Sequence, residues 1–188
     1  AYLSTGFGVV LLNLEKEEIS ETYYIGDNGS ALKVNQITSD GTYLYAATDE
    51  GIRRGLISDP FLVDFNAWEL VTDIPNANGV FSAIAYFEGS WYVAYADPAG
   101  EQDLMYYNSG SGWTSYPYFT HTTIYELLNQ GPFLSLVDEW GVHLINGEGL
   151  IIRELKSSRP RSASLDDEGT IWLADNGGGL VTNQGGEK

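Results

Sequence analysis

Hydrophobic and polar residues alternate along most of this chain in short runs, and Gly, Asn and Asp punctuate the runs. A period of two puts successive side chains on opposite faces of an extended backbone, so each run reads as a short strand with one face buried. Residues 34–39, 43–48, 51–57 and 67–72 give the clearest set, four strands joined by tight turns, the last reached through a connection over 61–65. No window sustains a helical period without a glycine or β-branched interruption, so no helix of ordinary length is predicted.

The set repeats about every 43 residues, and one copy is too small to bury its own apolar face. Tyr2-Leu3-Ser4-Thr5-Gly6-Phe7-Gly8-Val9, Tyr45-Ala46-Ala47-Thr48-Asp49-Glu50-Gly51-Ile52, Ser135-Leu136-Val137-Asp138-Glu139-Trp140-Gly141-Val142 and Leu173-Ala174-Asp175-Asn176-Gly177-Gly178-Gly179-Leu180 align on a glycine that opens a third strand. An irregular copy occupies the region around 91–107. A second register keeps step with the first, because the preceding hairpins turn on Asp40-Gly41, Glu88-Gly89, Gln130-Gly131 and Glu168-Gly169. Stacked four-stranded antiparallel units of this length form an all-β propeller arc. The expected blades are residues 1–30, 31–79, 80–121, 122–160 and 161–188, with residues 97–102 an insertion in blade three.

Blade one lacks an inner strand and blade five an outer one. The two end blades do not sum to one, so the expectation is an arc of a larger propeller. If the remainder is missing, self-association would cover the exposed blade faces. The chain opens inside a strand at Ala1-Tyr2-Leu3 without an initiator Met or a signal peptide, and reads as processed or excised.

Composition narrows the functions. With 43% hydrophobic and 13% aromatic residues the chain supports a packed core. A net charge of −17 repels phosphate backbones, so nucleic acid and anionic membrane surfaces are poor partners. There is no cysteine for disulfides, thiolate chemistry or metal ligation, and no stretch is apolar for long enough to span a membrane.

Tyr2-Leu3-Ser4-Thr5-Gly6-Phe7-Gly8-Val9-Val10, Glu21-Thr22-Tyr23-Tyr24-Ile25-Gly26, Lys33-Val34-Asn35 and Tyr45-Ala46-Ala47-Thr48-Asp49-Glu50-Gly51-Ile52 resemble the N-terminal propeller of the PorZ family, from the type IX secretion system of Bacteroidetes. Leu165-Asp166-Asp167-Glu168-Gly169-Thr170-Ile171-Trp172-Leu173-Ala174-Asp175-Asn176 is similar to the wider two-component-regulator propeller repeat. The resemblance implies a non-enzymatic, extracytoplasmic module of a Gram-negative cell surface that handles anionic lipopolysaccharide and docks proteins of a secretion or attachment complex. The alternative it implies is a periplasmic propeller of a hybrid two-component system that recognises an oligosaccharide. No binding residue is carried over from either.

The residues themselves offer little for catalysis. Glycoside hydrolysis needs two carboxyls facing each other across a cleft. Asp40, Glu88 and Glu168, however, precede hairpin glycines, where carboxylates serve the turn. His121 and His143 lie in different blades without a second histidine at ligand spacing. No serine sits in a Gly-x-Ser-x-Gly elbow, and Gly177-Gly178-Gly179 precedes a strand and forms no phosphate cradle. Asp27-Asn28-Gly29 and Asp175-Asn176-Gly177 place oxygen atoms at tight turns, which read as left-handed backbone ahead of calcium sites. The expectation is therefore a protein that is not an enzyme and uses no cofactor or metal. Two patches suit binding. Aromatics concentrate between Phe81 and Tyr125, where most read as packing between blades, and Tyr106 and Trp113, beside the insertion, are expected to be the exposed ones. Arg153, Lys156, Arg159 and Arg161 gather in the connection between blades four and five, a solvated linker in the plain reading and an anion site in the functional one.

Overall fold

The computed structural model describes residues 1–97, 104–120 and 122–183, and over these the chain is strand and turn. Blade one is β1 (Tyr2–Thr5), β2 (Gly8–Asn13) and β3 (Glu18–Tyr23), and blade two is β4 (Val34–Ser39), β5 (Tyr43–Thr48), β6 (Gly51–Leu56) and β7 (Trp68–Leu70). Blade three is β8 (Val80–Phe87), β9 (Ser90–Ala96), β10 (Leu104–Asn108) and β11 (Trp113–Thr120). Blade four is β12 (Ile124–Asn129), β13 (Leu134–Asp138), β14 (Gly141–Ile145) and β15 (Ile151–Lys156), and blade five is β16 (Pro160–Leu165), β17 (Ile171–Asp175) and β18 (Gly179–Thr182). Each blade is its own sheet, antiparallel throughout and ordered as the chain runs. The all-β propeller reading therefore holds, with five blades of four or three strands and, among the described residues, only two single 3-10 turns, Asp27–Gly29 and Phe65–Ala67. The second turn explains why the outer strand of blade two begins one residue later than expected; the strand also ends earlier, at Leu70. The Asp64 carboxylate accepts from the Asn66 N–H at 2.9 Å and holds residues 65–67 out of the ladder. Most of the blade-three insertion, residues 98–102, lies outside the described residues, as does His121.

Four apolar layers lie between the five blades. Val9, Tyr23 and Ile25 meet Val34, Leu44 and Trp68 between blades one and two, and Tyr45, Ala47 and Ile52 meet Phe81, Ile84 and Val93 between two and three. Phe87, Tyr92 and Met105 meet Ile124, Leu127 and Leu136 between three and four, and Val137, Val142 and Leu144 meet Ala163, Ile171 and Leu173 between four and five. The period-two alternation sends neighbouring residues to opposite layers. Ile84 packs toward blade two, while Ala83 and Ala85 pack toward blade four. A side chain such as Phe81 or Leu127, fully buried here, contributes roughly 2 to 3 kcal/mol of apolar transfer.

Because the sheets do not join, each inner strand has a ladder partner on one edge only, and the other edge needs acceptors and donors from elsewhere. Side-chain amides and one carboxylate supply them. Gln36 of β4 acts as a strand fragment toward β12, its Nε2 donating to the Leu127 carbonyl and its Oε1 accepting from the Leu127 N–H at 3.2 Å. Gln130 treats β16 in the same way, donating to Ala163 O at 2.8 Å and accepting from Leu165 N at 3.1 Å. Glu126 accepts from Ser162 Oγ and Ala163 N, both at 3.0 Å. Asn35 and Asn129 donate to the carbonyls of Phe81 and Tyr86 on β8 at 2.9 and 3.0 Å. The bond from Gln36 to Leu127 passes over blade three and ties blade two to blade four, which fixes how closely the inner strands converge.

The repeated glycine has a steric cause. A Cβ on Gly8 or Gly141 would overlap the carbonyl oxygen of Tyr23 or Leu155 at the neighbouring strand, and one on Gly51 would overlap the Ala77 carbonyl oxygen. Gly179, at the same position in blade five, has nothing within 4 Å of a built Cβ. We expect Gly141→Ala to destabilise the protein by about 3 kcal/mol or more and Gly179→Ala by only about 1 kcal/mol, the cost of its positive φ. Chemical denaturation of the two variants checks the contrast. Gln36→Ala, which strands both polar groups of Leu127, should cost about 2 kcal/mol in the same assay.

Candidate binding cleft between blades two and three

The interface between blades two and three is not filled to its edge. It leaves a cavity of about 170 Å³ walled by Tyr45 from β5, Arg54 from β6, Trp91 from β9 and Trp113 from β11, with Ile52 and Ile84 at its floor. Asn108 and Asp73 complete the rim. The local sequence builds this wall through turns. Asn108 Oδ1 accepts from the N–H groups of Gly110 and Gly112 at 2.8 and 3.3 Å, and both glycines take positive φ, so the hairpin closes tightly and delivers Trp113 to the cleft. Tyr45 and Trp91 pack with ring centroids 4.1 Å apart, and Tyr86 backs Trp91 at 4.8 Å. Arg54 is steered by Glu69, to which its Nε donates at 2.6 Å, and its guanidinium lies 5.2 Å from the Tyr43 ring centroid.

The cleft also carries polar groups. The indole Nε1 of Trp113 is buried without an acceptor among the described residues, a state that costs free energy until something accepts from it. Asp73 presents an exposed carboxylate on the rim. The Tyr45 phenol pKa is pushed upward by burial and then by Asp40, to whose carboxylate the hydroxyl donates at 3.4 Å. Aromatic faces, a free donor, a free acceptor and a cation thus converge in one groove.

The sequence candidates fare differently. Trp113 is half-buried and lines the cleft. Tyr106 was expected to be exposed and is instead buried in the same interface, its hydroxyl accepting from Asn76 Nδ2 at 3.2 Å, because β10 turns that side chain inward toward Phe81 and Val93. The four basic residues do not converge. Arg153 donates from Nη1 to Gly169 O at 2.7 Å, and Arg161 lies 4.6 Å over the Tyr125 ring. The Arg159 backbone bonds to Asp175 and Asn176, and Lys156 stands beside Trp140 at the opposite end of β15 from Ile151. Tyr45, Asp73, Trp91 and Asn108 were not singled out from the sequence, where they read as packing and turn residues.

His143 lies between two carboxylates. Its Nδ1 is 2.8 Å from Glu154 Oε1, and its Nε2 is 3.2 Å from Asp138 Oδ1, an ion-pair contact out of line for a hydrogen bond. Burial by itself would depress the imidazole pKa, but Asp138 and then Glu154 outweigh it and hold the value above the ordinary 6.5. Burial likewise works to raise Asp138, and His143 with the Trp140 N–H reverses this to a value below 3.8. The Asp138 carboxylate also accepts from Gly141 N at 3.1 Å, so the pair anchors the hairpin between β13 and β14.

The comparisons with known proteins bear on the fold. Residues 1–69 match the family model described as the PorZ N-terminal beta-propeller domain of the type IX secretion system. This chain is PorZ-like at its N-terminal end. PorZ of Porphyromonas gingivalis, a bacterial surface component of that system, superposes with a TM-score of 0.72 at 18% identity, over 97% of this chain and 23% of its own. The extracellular domains of a putative one-component and a putative hybrid two-component system from B. thetaiotaomicron superpose with TM-scores of 0.63 at 15% and 13% identity, each over 96% of this chain and 25% of its own. The chain thus spans about a quarter of the length of these structures, and the likeness is one of fold. No curated protein matches the chain. No helix among the described residues is long and apolar enough to cross a membrane.

The histidine sets a pH dependence. A group whose pKa is raised on folding contributes its full stability below the unfolded value of 6.5 and loses it as pH rises through the folded value. Asp138, lowered on folding, contributes above 3.8 and loses its share as pH falls through its folded value. Stability should therefore decline from pH 6 toward pH 9 in the parent protein and decline less in His143→Gln, as read by denaturant midpoints at the two pH values.

Proposed function

We propose that this propeller is a non-catalytic binding module of an extracytoplasmic surface protein, and that the cleft between blades two and three holds a saccharide. The observation that carries the reading is the unpartnered Trp113 Nε1 in a groove of aromatic faces with Asp73 and Arg54. Sugars present apolar ring faces for stacking and hydroxyls that both donate and accept, the complement of this set. The PorZ-like N-terminal third supports assignment to a surface secretion complex, in which the module handles anionic lipopolysaccharide and docks partner proteins. With a net charge of −17 the chain repels a polyanion at long range, so contact with such a lipid is local and depends on a few cations.

A second reading, a periplasmic sensor propeller that recognises an oligosaccharide, is favoured by the likeness to the extracellular regulator domains. Both readings use the same cleft and differ in what the parent protein is attached to. Tryptophan fluorescence titration with neutral oligosaccharides and with purified lipopolysaccharide tests the shared claim. Trp113→Phe, which removes the free donor, should weaken binding about five- to tenfold. Unchanged affinity in that variant sinks the cleft assignment. Recovery of lipopolysaccharide or secretion proteins with the parent protein from outer membranes favours the surface reading over the sensor.

A further inference from the structure

Trp140 is the most exposed tryptophan among the described residues, at 65%, and it stands on a rigid support. The hairpin that carries it is capped by the buried Asp138 carboxylate, which accepts from the Trp140 and Gly141 N–H groups at 2.8 and 3.1 Å. Facing it is the connection between blades four and five, tied to the hairpin by the Ser157 N–H, which donates to the Trp140 carbonyl at 2.9 Å. A second buried carboxylate, Asp175, fixes that connection by accepting from Ser157 Oγ and from the Arg159 N–H at 2.9 Å. Trp140, Lys156, Ser157 and Ser158 together line an open depression.

Two features set this depression apart. The corresponding aromatic of blade one, Phe7, has a ring neighbour in Tyr24 at 6.1 Å, whereas Trp140 has none among the described residues. Lys16, Lys33, Arg53 and Arg54 each pair with a carboxylate, and Arg153 and Arg161 are held by Gly169 and Tyr125. The Lys156 ammonium has no partner among the described residues, although the chain carries 26 acidic side chains. A cation with no ion-pair partner among the described residues beside an uncovered indole, with the Ser158 hydroxyl in the same depression, matches a sugar ring that bears an acid group.

We infer that Trp140 and Lys156 form a second site, distinct from the cleft, for an acid-substituted saccharide. The ring stacks on the Trp140 indole, and its phosphate or carboxylate is held by the Lys156 ammonium. Ser158, exposed in the same depression, is placed to meet a hydroxyl, while the Ser157 hydroxyl is held by Asp175. The inference rests on the reading of the propeller as a saccharide-binding module and adds to it where the acid group is read.

The test follows the tryptophan indole N–H signals of the whole chain by NMR, with the Trp140 signal assigned through Trp140→Phe. The probes are mannose 6-phosphate, galacturonic acid, mannose and inorganic phosphate. The Trp140 signal should shift with the first two, which separate phosphate from carboxylate recognition, and respond weakly to the last two. Trp140→Ala should lower the affinity for mannose 6-phosphate about fivefold or more. Lys156→Gln should lower it about three- to tenfold and leave the weak response to mannose unchanged. Both positions are on the surface, so the variants fold. An equal response to inorganic phosphate alone, or unchanged affinity in both variants, overturns this site. If the affinity then falls in Trp113→Phe instead, the cleft reading stands without it, whereas no saccharide response in any variant or in the parent removes both.

Discussion

The structure depends on how the inner strands dispose of their free edges. A blade is a complete sheet outward from its inner strand and an incomplete one inward, and backbone groups left unpaired near the axis cost as much as the packing around them contributes. Gln36, Gln130, Glu126, Asn35 and Asn129 resolve this by placing side-chain polar groups where a further strand would have placed backbone ones. Their reach sets the spacing of the blades, and the apolar layers can form only at that spacing. Glu126 illustrates the electrostatic side: burial raises its pKa, and the bonds from Ala163 and Ser162 pull against that rise. The interior polar groups and the hydrophobic layers are therefore one system, in which loss of an amide would open the layer beside it.

Much of this was legible in the sequence because β-structure writes its period plainly. The alternation across 34–39 and 43–48 marks β4 and β5 to the residue, and the glycines at 8, 51, 141 and 179 each open a strand. The glycines were legible for a physical reason, since a neighbouring carbonyl excludes any side chain at Gly8, Gly51 and Gly141. The cleft was much less legible. Trp113 stood out through its place beside an insertion, but Tyr106, two strand positions before Asn108, had the same composition around it and turned inward. Strand alternation says that neighbours face opposite ways and leaves open which way leads to a packed layer and which to a groove. Asp73 and Asn108 resemble ordinary turn residues, and only the closure of two blades brings them together. The basic segment shows the converse failure, in which proximity in sequence was dispersed by a bend of the chain between two sheets.

The relation to PorZ and to the regulator domains is a relation of blades. At 18% identity or below, what persists is the strand order and the spacing, while the residues at the clefts and rims are free to differ. Chemistry in this chain is correspondingly peripheral. The Trp113 donor and the Lys156 ammonium, neither with a partner among the described residues, both lie where blades meet. The His143 cluster, though rich in titratable groups, is engaged in holding a hairpin.

The amide joints between blades also bear on how such a chain is assembled over time. A continuous hydrogen-bonded sheet cannot admit a new strand without breaking a ladder, but a set of separate sheets latched by single side chains can. Each blade resembles a cassette whose interchange requires two matched apolar faces and correctly placed Gln, Asn or Glu side chains. Duplication, loss or exchange of a blade then perturbs the side-chain joints around it, including the Gln36 bond that skips a blade, and leaves the backbone pairing of every other blade intact. The same economy makes the rims, where Trp140 and Trp113 sit, the part of the molecule most open to new ligands.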